Sequence, residues 1–92
     1  MTSAAAADAS NLGTSLMSRG RHAEGVHHTA AAVRLAPKDA GVLYNHGNSL
    51  LQVNRDAEAS AIYRRVLRRK RTHAPSYNNL CLLYTSPSPR DS

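Results

Sequence analysis

The stretch Ala40-Gly41-Val42-Leu43-Tyr44-Asn45-His46-Gly47-Asn48-Ser49-Leu50 decides the fold, because a version of it stands 34 residues earlier as Ala6-Ala7-Asp8-Ala9-Ser10-Asn11-Leu12-Gly13-Thr14-Ser15-Leu16. Ala, Asn, Gly, Ser and Leu coincide at Ala6/Ala40, Asn11/Asn45, Gly13/Gly47, Ser15/Ser49 and Leu16/Leu50. The register continues downstream, where Arg21, Ala23, Glu24 and Arg34 meet Arg55, Ala57, Glu58 and Arg68. Nine identities over residues 6–39 against 40–73 exceed the roughly two or three expected by chance, so the period is a true repeat. Ala74 and Asn79 carry two columns into a third cycle, while the glycine column meets Cys81 there.

Each cycle has the pattern of two helices and a turn. Ala9, Leu12, Gly13, Leu16 and Met17 recur at helical spacing over 9–17, Arg19-Gly20 interrupts them, and a second helix is expected from about His22 to Leu35, ended by Pro37. In the next cycle Leu43, His46, Gly47, Leu50 and Leu51 share one face, and Asn54-Arg55 makes the turn, with Asp56 as the expected N-cap. Ala59, Ile62, Tyr63, Val66 and Leu67 form the apolar stripe of the partner helix. A third first-helix is expected from Ala74-Pro75, its face continued by Tyr77, Leu80 and Tyr84. The Gly13 and Gly47 columns face Gly25 and Ala59, and small residues at both points let two helices approach closely. The expected architecture is an all-α solenoid of antiparallel helix hairpins, with 6–39 and 40–73 as complete units and 74–80 opening a third.

Composition agrees with a stack rather than an isolated globule. Ninety-two residues hold no Phe and no Trp, and the apolar volume comes from Ala, Leu, Val and four Tyr. A chain of this size buries only about 60% of its unfolded surface, so neighbouring repeats are expected to supply contacts. No apolar run approaches the ~20 residues of a membrane span, and the opening MTSAAAADAS lacks the basic and leucine-rich regions of a secretory signal. One cysteine forms no internal disulfide. A cytoplasmic setting is the expectation from these features. The net charge of +6 is unevenly placed: residues 6–39 hold four cations against three carboxylates, residues 40–73 seven against two.

Leu43 through Leu50, followed by Glu58-Ala59 and Tyr63, resembles the tetratricopeptide repeat, as does Asn11-Leu12-Gly13 followed by Glu24 and Pro37. About residues 6–80 share the likeness. The departures are Gly25 and Thr29, where the family prefers Ala and an aromatic, His46 in place of Leu, and Arg71 in place of the closing Pro. Those at Gly25 and Thr29 predict a loosely packed first repeat.

The resemblance implies that the first helices line a concave wall, and that the chain is an interaction scaffold for a protein or peptide partner. Asn11, Asn45 and Asn79 would then present amide donors and acceptors to the main chain of an extended peptide, with Tyr44 and Asn48 beside them. The row is similar to the asparagine ladder of the O-linked N-acetylglucosamine transferases. The alternative is that Asn in this column is ordinary family consensus and contacts nothing. The family's clamp for C-terminal carboxylates needs cations that Pro75 and Asn79 do not provide. A second class of function is the substrate-guiding region of a larger glycosyltransferase, either of that type or of the membrane-bound O-mannosyltransferases, which Ile62-Tyr63-Arg64-Arg65 and Ser76-Tyr77-Asn78-Asn79-Leu80 resemble. The first type implies cytosol or nucleus, the second the endoplasmic reticulum lumen.

Residues 64–71 hold six cations in eight positions, which raises polyanion binding as a third class. The run closes a helix, where cations complement the negative end of the dipole, and no aromatic is interleaved to stack bases. A solvated helix end is therefore favoured over a nucleic-acid surface. His27 and His28 are adjacent, no histidine pair lies four residues apart on one helix, and His46 reads as a half-buried polar residue rather than a ligand. No catalytic constellation, cofactor motif or metal set is expected. Finally, Cys81-Leu82-Leu83-Tyr84-Thr85-Ser86-Pro87-Ser88-Pro89-Arg90-Asp91 resembles the translation of a transposase-type sequencing adaptor. Residues 81–92 are accordingly read as a non-native tail, with further repeats expected after Leu80.

Overall fold

A computed structural model describes residues 2–70 and Asn79. The third first-helix expected from Ala74-Pro75, the Arg71 position, and the tail 81–92 lie outside the described residues. The chain is all-α, with α1 at Thr2–Ser18, α2 at His22–Leu35, α3 at Ala40–Gln52 and α4 at Asp56–Arg69. These pair as two hairpins, α1–α2 and α3–α4, and the second packs against the first through α2–α3 and α1–α3. Among the described residues no helix is long and apolar enough to cross a membrane.

The hairpin turns show most directly how the repeat is written into local chemistry. Gly20 and Asn54 stand 34 positions apart, and both are left-handed, with φ of 83° and 63°. The bonds around them match: Arg21 N–H donates to Leu16 O at 2.9 Å and Gly20 N–H to Met17 O at 3.0 Å. One cycle later Arg55 N–H donates to Leu50 O at 2.9 Å and Asn54 N–H to Leu51 O at 3.0 Å. This is the Schellman arrangement, which needs a residue tolerant of positive φ, and Gly and Asn are the two that tolerate it best.

Caps differ from the expectation at one point. Asp56 is not the N-cap of α4: Arg55 holds that place with no side-chain cap, and Asp56 is the first helical residue. The Schellman turn ends at Arg55, which leaves Asp56 one position too far along to cap, though its charge still suits the helix start. The side-chain cap occurs instead on α3, where Asp39 Oδ1 accepts from Val42 N–H at 3.1 Å. Pro37 ends α2 as expected, and its carbonyl accepts from Arg65 Nη2 at 3.2 Å. α1 begins at Thr2, well before the apolar spacing becomes visible at Ala9, because alanine is the strongest helix former and needs no apolar stripe.

One core cluster joins Ala40, Leu43, Leu50, Ala59, Ile62, Tyr63 and Val66, and a second joins Ala6, Ala32 and Val42. Val33 packs against both, so the two hairpins share an interior. The glycines mark the closest approaches. A Cβ on Gly13 would lie 2.8 Å from Gly25 O and 3.0 Å from Thr29 N, and one on Gly25 would collide with Met17 and Gly13 O. The first hairpin is therefore not loose at this crossing. Its small residues are matched by backbone moving inward, which corrects the expectation drawn from Gly25 and Thr29. In the second hairpin the nearest neighbour of Gly47 is the Tyr63 ring, 2.7 Å from a Cβ placed there, and Ala59 is fully buried in the same core cluster as Tyr63. Leu12, expected on the packing face, is 47% exposed.

Candidate functional site

α1 and α3 lie side by side, and the seam between them carries three of the five residues proposed for peptide contact, Asn11, Asn45 and Asn48. Toward one end, Thr14, Met17, Ser18, Asn45, Asn48, Ser49 and Gln52 line a groove of about 220 Å³. Toward the other, Ala7, Ser10, Asn11, Asp39, Gly41, Val42 and Asn45 line a groove of about 200 Å³. Asn45 belongs to both.

The asparagines of the repeat column are not equivalent. Asn11 is exposed, and its carbonyl accepts from the Thr14 hydroxyl at 2.9 Å. Asn45 is half-buried and its Nδ2 donates to Ser10 Oγ at 2.7 Å, tying α3 to α1. Asn79 Nδ2 donates to Asn48 Oδ1 at 3.2 Å and to the Tyr63 hydroxyl at 3.3 Å. Both inner asparagines thus reach back to the preceding hairpin. This role between hairpins is one that local spacing does not reveal, since the partners of Asn45 and Asn79 lie 35, 31 and 16 residues away.

Asn48 and Tyr63 form the rest of that network. The Tyr63 hydroxyl donates to Asn48 Oδ1 at 2.5 Å while accepting from Asn79, so its one proton and one lone pair are both used. Burial pushes the Tyr63 phenol up to about 12, with the Asn79 donor opposing the rise and Tyr44 adding to it. Tyr44 leans on the core, its ring centroid 6.1 Å from that of Tyr63 at 47°. It lines neither groove, so the position expected to touch peptide instead packs inward.

One repeat earlier, Thr29 stands in the Tyr63 column, and its side-chain partner is His46 of α3. Thr29 Oγ1 lies 3.0 Å from His46 Nδ1, and the Thr29 hydroxyl also donates to Val26 O at 3.1 Å. Since the hydroxyl has one proton, the imidazole Nδ1–H is the donor to Thr29. Thr29 and His46 thus satisfy each other across 17 residues. Burial lowers the pKa of His46; Glu58 opposes this, and Arg65 and Arg55 add to it.

Chemically the seam offers amide and hydroxyl groups. The His27 and His28 rings meet edge to face at 5.5 Å, and among the described residues no group of three His, Cys, Asp or Glu is placed to hold a metal ion. The packing residues Gly13, Gly25, Gly47, Ala59 and Tyr63 are all buried, whereas Pro37 is exposed in the link between hairpins. Comparison of the chain with models of known families and with curated proteins finds no match.

Proposed function

We propose that the chain is a segment of a tetratricopeptide-type repeat array that recognises a protein partner by holding an extended peptide along the α1–α3 seam. The observation that carries this reading is the pair of grooves meeting at Asn45, whose walls are mostly amide and hydroxyl side chains. An extended peptide presents unpaired N–H and C=O groups at regular intervals, and an amide side chain can serve either. From Ala7 to Ser18 the seam runs roughly 17 Å at the helical rise, which spans about five residues of extended chain. The turn, glycine and ion-pair columns that recur at 34 residues support the repeat assignment. So small a surface supports an affinity of about micromolar or weaker.

A random peptide library displayed on phage and selected on the immobilised protein tests the reading. Enriched peptides are expected to lose binding with Asn11→Ala and with Asn45→Ala. Asn11 makes no side-chain hydrogen bond among the described residues, so its replacement separates recognition from stability. Unchanged binding by both variants would reject the seam as the recognition surface.

A further inference from the structure

A second groove lies away from the α1–α3 seam and shares no residue with it. Pro37, Lys38, Leu43, Arg65, Arg68 and Arg69 enclose about 260 Å³ where the link between hairpins meets the end of α4. Leu43 lies fully buried beneath the groove, while Pro37, Lys38, Arg68 and Arg69 are exposed around it. Arg65 is half-buried and held by its bond to the Pro37 carbonyl at 3.2 Å, so one guanidinium is fixed in place before any ligand arrives. Among the described residues the carboxylates in ion pairs are Glu24 and Glu58, and these hold Arg21 and Arg55. No described carboxylate lies in ion-pair range of the four groove cations. Their mutual repulsion is offset only in part by the helix end, so the groove holds a positive potential that anions relieve.

We infer that this groove docks an acidic segment of a protein partner, with carboxylates on Lys38, Arg65, Arg68 and Arg69 and an apolar side chain against the exposed Pro37 ring. Charge complementarity selects the acidic occupant, and the exposed Pro37 beside the cations gives a peptide side chain an apolar contact. A nucleic acid would find no aromatic ring among the lining residues on which to stack a base.

The test is fluorescence anisotropy with a short labelled peptide of glutamates flanking one leucine, its glutamine analogue, and a single-stranded RNA of equal length. Binding of the acidic peptide is expected at low salt, falling as salt rises, with none for the glutamine analogue. Arg68→Gln combined with Arg69→Gln keeps the Arg65–Pro37 bond and is expected to weaken binding about tenfold. Arg19→Gln combined with Arg34→Gln removes the same charge elsewhere and is expected to change it by about twofold or less. Circular dichroism of both double variants checks that the helices remain, and Asn45→Ala is expected to leave this binding unchanged. Equal losses in the two double variants, no binding of the acidic peptide at low salt, or RNA bound more tightly than the peptide would each overturn the inference.

Discussion

Replacing Gly13 with Ala tests the hairpin crossing by adding one methyl group. The new Cβ would lie 2.5 Å from Thr29 Cγ2, 2.8 Å from Gly25 O and 3.0 Å from Thr29 N. Two of these neighbours are backbone atoms, which cannot rotate away as a side chain does. Restoring ordinary contact at Gly25 O requires α1 and α2 to part by about 0.6 Å, in an interior that closes with no spare volume. Overpacking of this kind costs about 1–3 kcal/mol. Alanine returns about 1 kcal/mol through its higher helix propensity, leaving a net loss of about 0–2 kcal/mol, toward the upper end because two of the opposing atoms are backbone. Gly41→Ala is the matched control. Its Cβ meets only Asp39 Oδ1, at 3.3 Å, so the cap on Val42 N–H need give by only about 0.1 Å to reach ordinary contact. There the propensity gain stands nearly alone, and stability should be equal or slightly raised. Urea unfolding followed by circular dichroism should separate the two variants by about 2 kcal/mol, or by about 4–8 °C in Tm per kcal/mol. A Gly13→Ala protein as stable as Gly41→Ala would refute the close crossing of α1 and α2.

Tyr63 should ionise at about 12 in a spectrophotometric titration. Because its folded pKa is raised above the unfolded value of about 10, its contribution to stability is complete below that pH and is lost as pH rises toward 12. Tyr63→Phe should cost about 1 kcal/mol and Tyr63→Ala about 3–5 kcal/mol, read as midpoint shifts in urea; a Tyr63→Ala protein near wild-type stability would contradict its place in the core. His46 has the opposite sense. Its folded pKa is depressed, so the unfolded chain takes up the proton first, and stability complete above about pH 6.5 should fall as pH drops below it. His46→Leu should abolish that slope, and a double-mutant cycle with Thr29→Val should give a coupling of about 0.5–1.5 kcal/mol. A slope that survives His46→Leu would show that another group is responsible.

The hairpin boundaries were legible in the sequence because turn chemistry is local: Gly20 and Asn54 supply the positive φ, and Pro37 stops α2. The glycine columns were legible for a similar reason, since a small residue recurring on a helical face implies a close neighbour. What remained hidden depends on groups far apart in the chain. Asn45 was visible as a repeated amide, but its attachment to Ser10 arises only when α1 and α3 are side by side. Thr29 and His46 each departed from the expected residue type, and only the packed hairpins show that they satisfy each other. Tyr44 was placed at the seam by adjacency to Asn45, although a step of about 100° along the helix turns its ring to the core. Composition points to Asp56 as a cap, but the Schellman turn fixes the start of α4 one residue earlier, and the side-chain cap is Asp39 on α3.

The stacking of one hairpin on the next in a 34-residue register is what forms the seam, and nuclear Overhauser contacts between the two hairpins measure it directly. The Asn45 side-chain amide protons should show contacts to the Ser10 β protons, and the Val42 methyls to the methyls of Ala6 and Ala32. Val42 contacts confined to α3 and α4, with none from Asn45 to Ser10, would contradict the register and remove the seam with it.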